Sequence, residues 1–356
     1  MKGAVVAFAA MGLMSNAALA QDSSGAKFLA FAFADDRHGW VAGSGGIDVT
    51  QDGGRSWKPQ FRGRRVDELV IVRRRSLFAL ADGAVLHTTD DGATWQIAAQ
   101  PRPALVHIAF ASERAGFAIG TDRLLYVTAD GAKTWRRASF NRPLSAVCFS
   151  DRQTGFVSGA VTAPAPGAFD GIAATRDGGR TWAQTTRPPT DGQTGIAGHT
   201  LHCTRSSVYD LVDLGGHAGG GAYVLARSTD AGRSWKPIAT GGQAPSLPHV
   251  AKGPGSEATS MTAYSRRAAS IAGFCGPCGA GGQSSFGATT NAGRSWKNVT
   301  LGALVVTSAP VFTSGRHGWI GVRTLVDGRA VGDEILMTDN AGQTWTIIFK
   351  AANTPH

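Results

Sequence analysis

Arginines are the most concentrated reactive side chains in this sequence. The stretch FRGRRVDELVIVRRRS carries Arg62, Arg64 and Arg65, then Arg73, Arg74 and Arg75. A guanidinium fork presents planar paired donors that suit carboxylates and phosphates, so a trio is a candidate docking patch; the plainer alternative is a solvated charge coat. Four acids, Asp170, Asp213, Glu257 and Glu334, stand in stretches of irregular length. Two of them facing each other could serve glycoside hydrolysis as acid and base or nucleophile. Acids of this kind are more often simply solvated. Tyr126, Tyr209, Tyr223 and Tyr264 are the only phenols available as nucleophiles.

The segment Cys275-Gly276-Pro277-Cys278 matches the thioredoxin tetrapeptide, whose chemistry needs the first thiol at a helix N-terminus. GAGGQSSFG follows it and is a poor helix start, so a small structural disulfide is favoured. His199, His202 and Cys203, with His217 and His249 nearby, are zinc- or copper-ligating types. Their spacing fits no metal signature, and residues 199 and 202 of a strand face opposite ways. Neither metal nor other cofactor is expected.

What must position these groups is a repeat. TQDGGRSW at 50–57 reads as Ser/Thr-x-Asp-x-Gly-x-Ser/Thr-Trp. The acid and tryptophan recur as Asp52/Trp57, Asp90/Trp95, Asp130/Trp135, Asp177/Trp182 and Asp230/Trp235. Asn291/Trp296 and Asn340/Trp345 replace the acid by its amide, and Ala132 replaces one glycine. Seven of nine tryptophans thus share one motif position, which chance does not arrange. Asp or Asn accepts backbone N–H bonds in a tight reversal, glycine supplies positive φ, and the hydroxyl adds a local bond. Tryptophan then opens the next strand and plugs between repeats. With Ala in place of glycine, the third copy is the weakest.

Between motifs an apolar strand (FLAFAF, LVHIAF, LSAVCF) precedes a Gly-aromatic strand (HGWVAG, AGFAIG, TGFVSG, HGWIGV). Successive motif tryptophans lie 38, 40, 47, 53, 61 and 49 residues apart. That is the scale of four antiparallel strands per blade, and closing seven units into a ring removes their exposed edges. The expected fold is all-β, a seven-bladed propeller. Cys148 and Cys203 fall on first strands of consecutive blades, where they either bridge or remain buried thiols.

The motif is that of the Asp-box, or BNR, repeat, and GWVAG with TQDGGRSW more narrowly resembles the Ycf48-like propellers related to photosystem II assembly factors. The resemblance implies a non-enzymatic assembly factor with an arginine-rich patch. Asp-boxes also occur in sialidases, which need several arginines, a tyrosine nucleophile and its glutamate; the Arg-Ile-Pro-type motif that usually brings the first arginine is absent. A glycan-acting hydrolase is the alternative.

In a four-stranded meander the 3–4 turns carrying the motif share one face with the 1–2 turns. The 2–3 loops and inter-blade links share the other. Length variation falls on that second face, at GAVTAPAPGAFDG, VDLGGHAGGGAYV, CGPCGAGGQSS and LVDGRAVGDE and in two long links. Long loops on a rigid ring commonly carry binding. Arg62, Arg64 and Arg65 belong to that face by alternation, and Arg73, Arg74 and Arg75 to the motif face.

Residues 1–20 have the layout of a secretory leader, with Lys2, an apolar run and Ala18-Leu19-Ala20. Residues 21–356 are then one propeller domain, periplasmic or secreted and monomeric. No later apolar run is long enough to span a bilayer. Its loss removes one cation, so the net charge of +10 becomes +9. Such a surface favours an acidic protein or anionic glycan, while export argues against nucleic acid.

Overall fold

The computed structural model describes residues 28–159, 171–186, 188, 196–217, 220–244, 247–275, 283–302, 304–326 and 329–350. The leader at 1–20, Asp170 and Cys278 lie outside the described residues. Seven antiparallel meanders follow one another at 28–61, 66–99, 105–137, 144–184, 198–242, 257–302 and 304–350. They form the seven blades of a propeller. In blade 7 the first strand is split into Leu304–Val306 and Val311–Phe312, both paired with Gly318–Val326. Pro310 sits in the break and has no N–H for a ladder. Beside it, the Gly321 N–H donates to Ser308 Oγ at 3.0 Å.

The Gly-aromatic strands are joints between blades. A methyl on Gly39, Gly116, Gly155 or Gly318 would lie 2.3–2.5 Å from a ring atom of Phe33, Phe110, Phe149 or Phe312. Glycine therefore admits the phenylalanine of its own blade's first strand. In blades 1, 3 and 4 that phenylalanine stacks on the second-strand aromatic of the preceding blade, whereas Phe312 meets the third-strand Phe286 of blade 6 at 5.9 Å. Phe110 lies on Phe78 at 3.7 Å and Phe149 on Phe117 at 3.5 Å. Each aromatic pair adds about 0.5–1.5 kcal/mol beyond the area it buries.

Ring closure uses the same joint. Blade 1 holds only N-terminal strands and blade 7 only C-terminal ones, so no sheet is shared between the ends. Phe33 stacks on Trp319 at 3.7 Å, Trp57 meets Phe349 edge-on at 5.5 Å, and the Trp319 Nε1–H donates to Gly53 O at 3.3 Å. Packing closes the ring.

Two stretches expected as loops are instead extended hairpins. Ser207–His217 pairs with Gly220–Ser228, and Gly318–Val326 with Arg329–Thr338. Bulges between Asp213 and Gly216 and between Thr324 and Leu325 absorb the residues that break the alternation. The remaining expected insertions do fall between second and third strands, as alternation requires.

Candidate functional site

The repeated turns are structural devices. In the first copy Thr50 Oγ1–H donates to Asp52 Oδ1 at 2.8 Å and accepts the Gly54 N–H at 2.8 Å. Asp52 also accepts the Ser56 N–H at 2.9 Å and the Ser56 hydroxyl at 2.6 Å. The same bonds recur at Asp90, Asp130, Asp177 and Asp230. Those donors hold all five carboxyls at a pKa of about 2. At Asn291 and Asn340 the amide Nδ2–H donates to the Ser295 or Thr344 hydroxyl instead, reversing one bond and keeping the turn. These acids are consumed by their own loops.

Most motif tryptophans reach backwards. Trp95 packs on Phe61 of blade 1, Trp182 on Phe140, and Trp345 on Phe286 of blade 6. Trp296 Nε1–H donates to Ile238 O of blade 5 at 2.8 Å. Trp135 and Trp235 also pack between neighbouring blades, through other partners. Trp135 meets Phe110 of its own blade edge-on at 6.1 Å, within a cluster that takes in Val70 and Phe78 of blade 2. Trp235 has no such ring partner among the described residues and packs on the cluster of Cys148, Phe156 and Ile172 in blade 4. The Nε1–H groups of Trp57 and Trp182 donate to Gly54 O and Gly179 O of their own turns. Those of Trp135 and Trp235 are buried with no acceptor among the described residues, as are those of Trp95 and Trp345. The indole polar end is therefore not a fixed part of the motif, and apolar contact holds these four rings.

The third copy departs as its sequence implies. Ala132 takes φ +69°, and its N–H bond to Thr128 Oγ1, 3.1 Å, is the longest of the set. Its methyl joins a core cluster with Val70, Phe78 and Tyr126, which offsets part of the strain.

Arg62, Arg64 and Arg65 lie in the link between Lys58–Phe61 and Val66–Arg73, on the long-loop face. They are not three equal cations. Arg62 is paired with Asp48 and also donates to Ile47 O at 3.0 Å. Arg65 Nε lies 2.8 Å from Asp67 Oδ1. Arg64 has no hydrogen bond or ion pair among the described residues, so the free charge of the trio is concentrated there. Arg73, Arg74 and Arg75 sit on the opposite face, paired with Glu113, Asp35 and Asp91.

The nucleophile candidates are tied down. Tyr209 OH donates to Ser265 O at 2.7 Å and Tyr223 OH to Pro254 O at 2.8 Å. Burial raises the pKa of Tyr209 to about 12 and pushes Tyr223 and Tyr264 higher still. Tyr126 is likewise held at about 12, by burial and its bond to Asp122. All four stay protonated near neutrality, contrary to what a nucleophile requires. Among the acids, Glu334 lies 2.9 Å from Lys350 Nζ, and Glu257 is exposed. Asp213 accepts the Gly215 N–H at 2.8 Å, and burial raises its pKa.

Cys148 and Cys203 form a disulfide between the first strands of blades 4 and 5. Cys275 is also disulfide-bonded. His199 and His202 are both buried, on opposite faces of their strand. His199 Nδ1 lies 2.8 Å from Asp210 Oδ2, while His202 hydrogen-bonds the Ala263 backbone in blade 6. His249 is exposed, and His217 ends the strand Ser207–His217. No group of three or more metal-ligand side chains converges among the described residues.

The sequence reading missed a polar clasp along the axis. Glu68 accepts the Ile108 N–H at 2.9 Å and lies 2.9 Å from His107 Nδ1; His107 Nε2 in turn lies 3.3 Å from Val147 O. Blades 2, 3 and 4 are linked by this chain, and the disulfide continues it to blade 5. Burial disfavours the His107 cation, but Glu68 more than offsets it and raises the pKa. Glu68 pairs with Leu80 and His107 with Ile119, equivalent points of adjacent repeats, so aligning the repeats would have brought the pair together.

No protein-family model matches the chain, and no curated protein does. Solved structures similar to it are propellers of diverse kinds. The tricorn protease matches over 98% of this chain and 36% of its own length, at 9% identity and TM-score 0.56. A GH74 xyloglucanase from Xanthomonas campestris matches over 94% of this chain at 14% identity and TM-score 0.53, and the chain spans 53% of its length. YCF48 from Cyanidioschyzon merolae matches over 96% of this chain and 88% of its own, at 16% identity and TM-score 0.48. At such identities the likeness is one of fold, and the fold these structures share with the chain is the β-propeller.

Proposed function

We propose that the protein is an exported, non-enzymatic binding scaffold of the Ycf48-like kind. It docks an acidic protein or other anionic partner on its long-loop face through the link at Arg62, Arg64 and Arg65. The observation that carries this reading is the state of the catalytic candidates. The tyrosines are protonated, with Tyr209 and Tyr223 bonded to carbonyls and Tyr126 to Asp122, and the turn acids are spent on their own loops. A face with exposed arginines and without an activated nucleophile suits recognition better than turnover. Within the trio, Arg64 reads the partner, while Asp48 and Asp67 hold Arg62 and Arg65 in position.

The test has two arms. Immobilised protein should retain an anionic species from exported material, and Arg64→Ala should weaken retention more than Arg65→Ala does. A screen against sialosides and β-glucans should show no turnover. Hydrolysis abolished by a single acid substitution, such as Asp213→Asn, would overturn the proposal in favour of a glycan hydrolase.

A further inference from the structure

The motif face carries an ordered set of cations that the proposed docking face does not use. In blades 4, 5 and 6 each 1–2 turn and each 3–4 turn presents an exposed arginine. These are Arg152 and Arg180, Arg205 and Arg233, Arg267 and Arg294. The 1–2 turns join the inner strands and the 3–4 turns the outer ones, so the six form an inner and an outer arc at one end of the ring. None of the six side chains has a hydrogen bond or ion pair among the described residues.

Acids near them are already engaged. Asp151 accepts the Gln153 and Thr154 N–H groups, and Asp177 and Asp230 hold their own turns. In blade 6 Asn291 replaces the acid, so that turn has no carboxylate at this position. Blade 2 differs, because Arg73, Arg74 and Arg75 in its 1–2 turn each face an acid. Exposed cations without an ion pair among the described residues also stand at the corresponding turns of blade 3, Arg114 and Lys133, and of blade 1, Arg37 and Arg55, so blades 4, 5 and 6 are the regular part of a wider basic face.

We infer that this double arc is a peripheral docking surface for a membrane of anionic phospholipid headgroups. The large apolar side chains that stand exposed, Ile97, Val106 and Ile347, lie on strands rather than on these turns. The cavities found among the described residues lie between inner strands. Among the described residues these turns expose no large apolar side chain, so the contact they offer is ionic. The turns present these arginines together at one end of the ring, and an array of cations without an apolar anchor complements a plane of headgroup charge. Binding is electrostatic and reversible, without insertion.

Purified exported protein is sedimented with vesicles of phosphatidylcholine alone or with 30% phosphatidylglycerol, a ~30% charge load in the range where each basic residue contributes about fivefold to partitioning. Binding should require phosphatidylglycerol and fall steeply with salt. Arg205→Ala/Arg233→Ala/Arg267→Ala should lower partitioning by roughly 100-fold, and Arg73→Ala/Arg74→Ala/Arg75→Ala by less than about fivefold. Unchanged thermal unfolding shows that each variant remains folded. Equal losses from the two triple variants, or equal binding to neutral vesicles, would overturn the assignment. So would absence of vesicle binding alongside tight binding to soluble heparin or to an acidic protein. Arg62, Arg64 and Arg65 lie on the other face, so their substitution should leave vesicle binding intact.

Discussion

Removing the Cys148–Cys203 bridge tests how the blades are held in register. The two cysteines are 55 residues apart, and both are nearly inaccessible, 5% and 2% exposed. Closing a loop of that length in the unfolded chain corresponds to about 4 kcal/mol of stabilisation in the chain-entropy account. Cys148→Ala/Cys203→Ala should therefore lose roughly 4 kcal/mol, plus a smaller loss from packing beside Phe156 and Leu201. At about 2.1 cal/mol/K per residue, some 300 ordered residues give an unfolding entropy near 0.6 kcal/mol/K, so the melting temperature should fall by about 6 °C. Urea unfolding followed by tryptophan fluorescence is the assay. The m-value should rise, because an uncrosslinked denatured chain exposes more surface. Reductant added to folded wild-type protein should act slowly, since thiolate attack needs access to a buried sulfur. A loss below about 1 kcal/mol with an unchanged m-value would refute the reasoning. The clasp of Glu68, His107 and Val147 would then already restrict the chain as much as the disulfide does.

Other outcomes follow from individual residues. Gly342→Ala should cost more than about 2 kcal/mol in urea unfolding, because φ is +83° and the new methyl would lie 2.1 Å from Phe286 Cε1. Ala132→Gly should stay within about 1 kcal/mol of wild type, as relief of left-handed strain and loss of a buried methyl oppose each other. Burial lowers the His202 pKa to about 4, below its ordinary 6.5. Its neutral form therefore stabilises the fold fully above pH 6.5, and that contribution is lost as pH falls from 6.5 to 4. His202→Asn should flatten that part of the stability–pH curve measured by thermal unfolding. His107 has the opposite sign, because its pKa is raised. Its contribution is present below pH 6.5 and lost as pH rises through the raised value, so Glu68→Gln should remove the alkaline decline.

Most of the architecture could be read from the chain because it is written seven times. The Asp/Asn, hydroxyl and tryptophan of each turn act within four residues of one another, and local chemistry of that kind is visible in sequence. What each indole touches was not visible, because Trp135 and Trp235 meet side chains of other strands that only folding brings near. The Gly-aromatic pairs were visible as a pattern, but not as joints, because the phenylalanine that Gly39 admits is defined only once strands pair. The stretch 207–228 reads as a loop in sequence, since a bulge at Asp213 shifts the alternation that marks a strand. Strand alternation in the sequence puts Arg62, Arg64 and Arg65 in an inter-blade link, where they lie, but it could not show that Asp48 and Asp67 face two of them, since those contacts depend on strand register. The arginines of blades 4, 5 and 6 form no single cluster in sequence, because they are spread from Arg152 to Arg294 along the chain. They gather only when the ring closes.

The central claim, docking through the basic link, is tested most directly by the association rate of the captured anionic partner against ionic strength. Screening lengths shrink from about 10 Å at 0.1 M to about 3 Å at 1 M salt, so wild-type association should slow at least tenfold across that range. Arg62→Ala/Arg64→Ala/Arg65→Ala should be slow at low salt and converge with wild type at high salt, while Arg73→Ala/Arg74→Ala/Arg75→Ala should track wild type. Parallel salt curves for all three proteins, or equal slowing in both triple variants, would contradict the account.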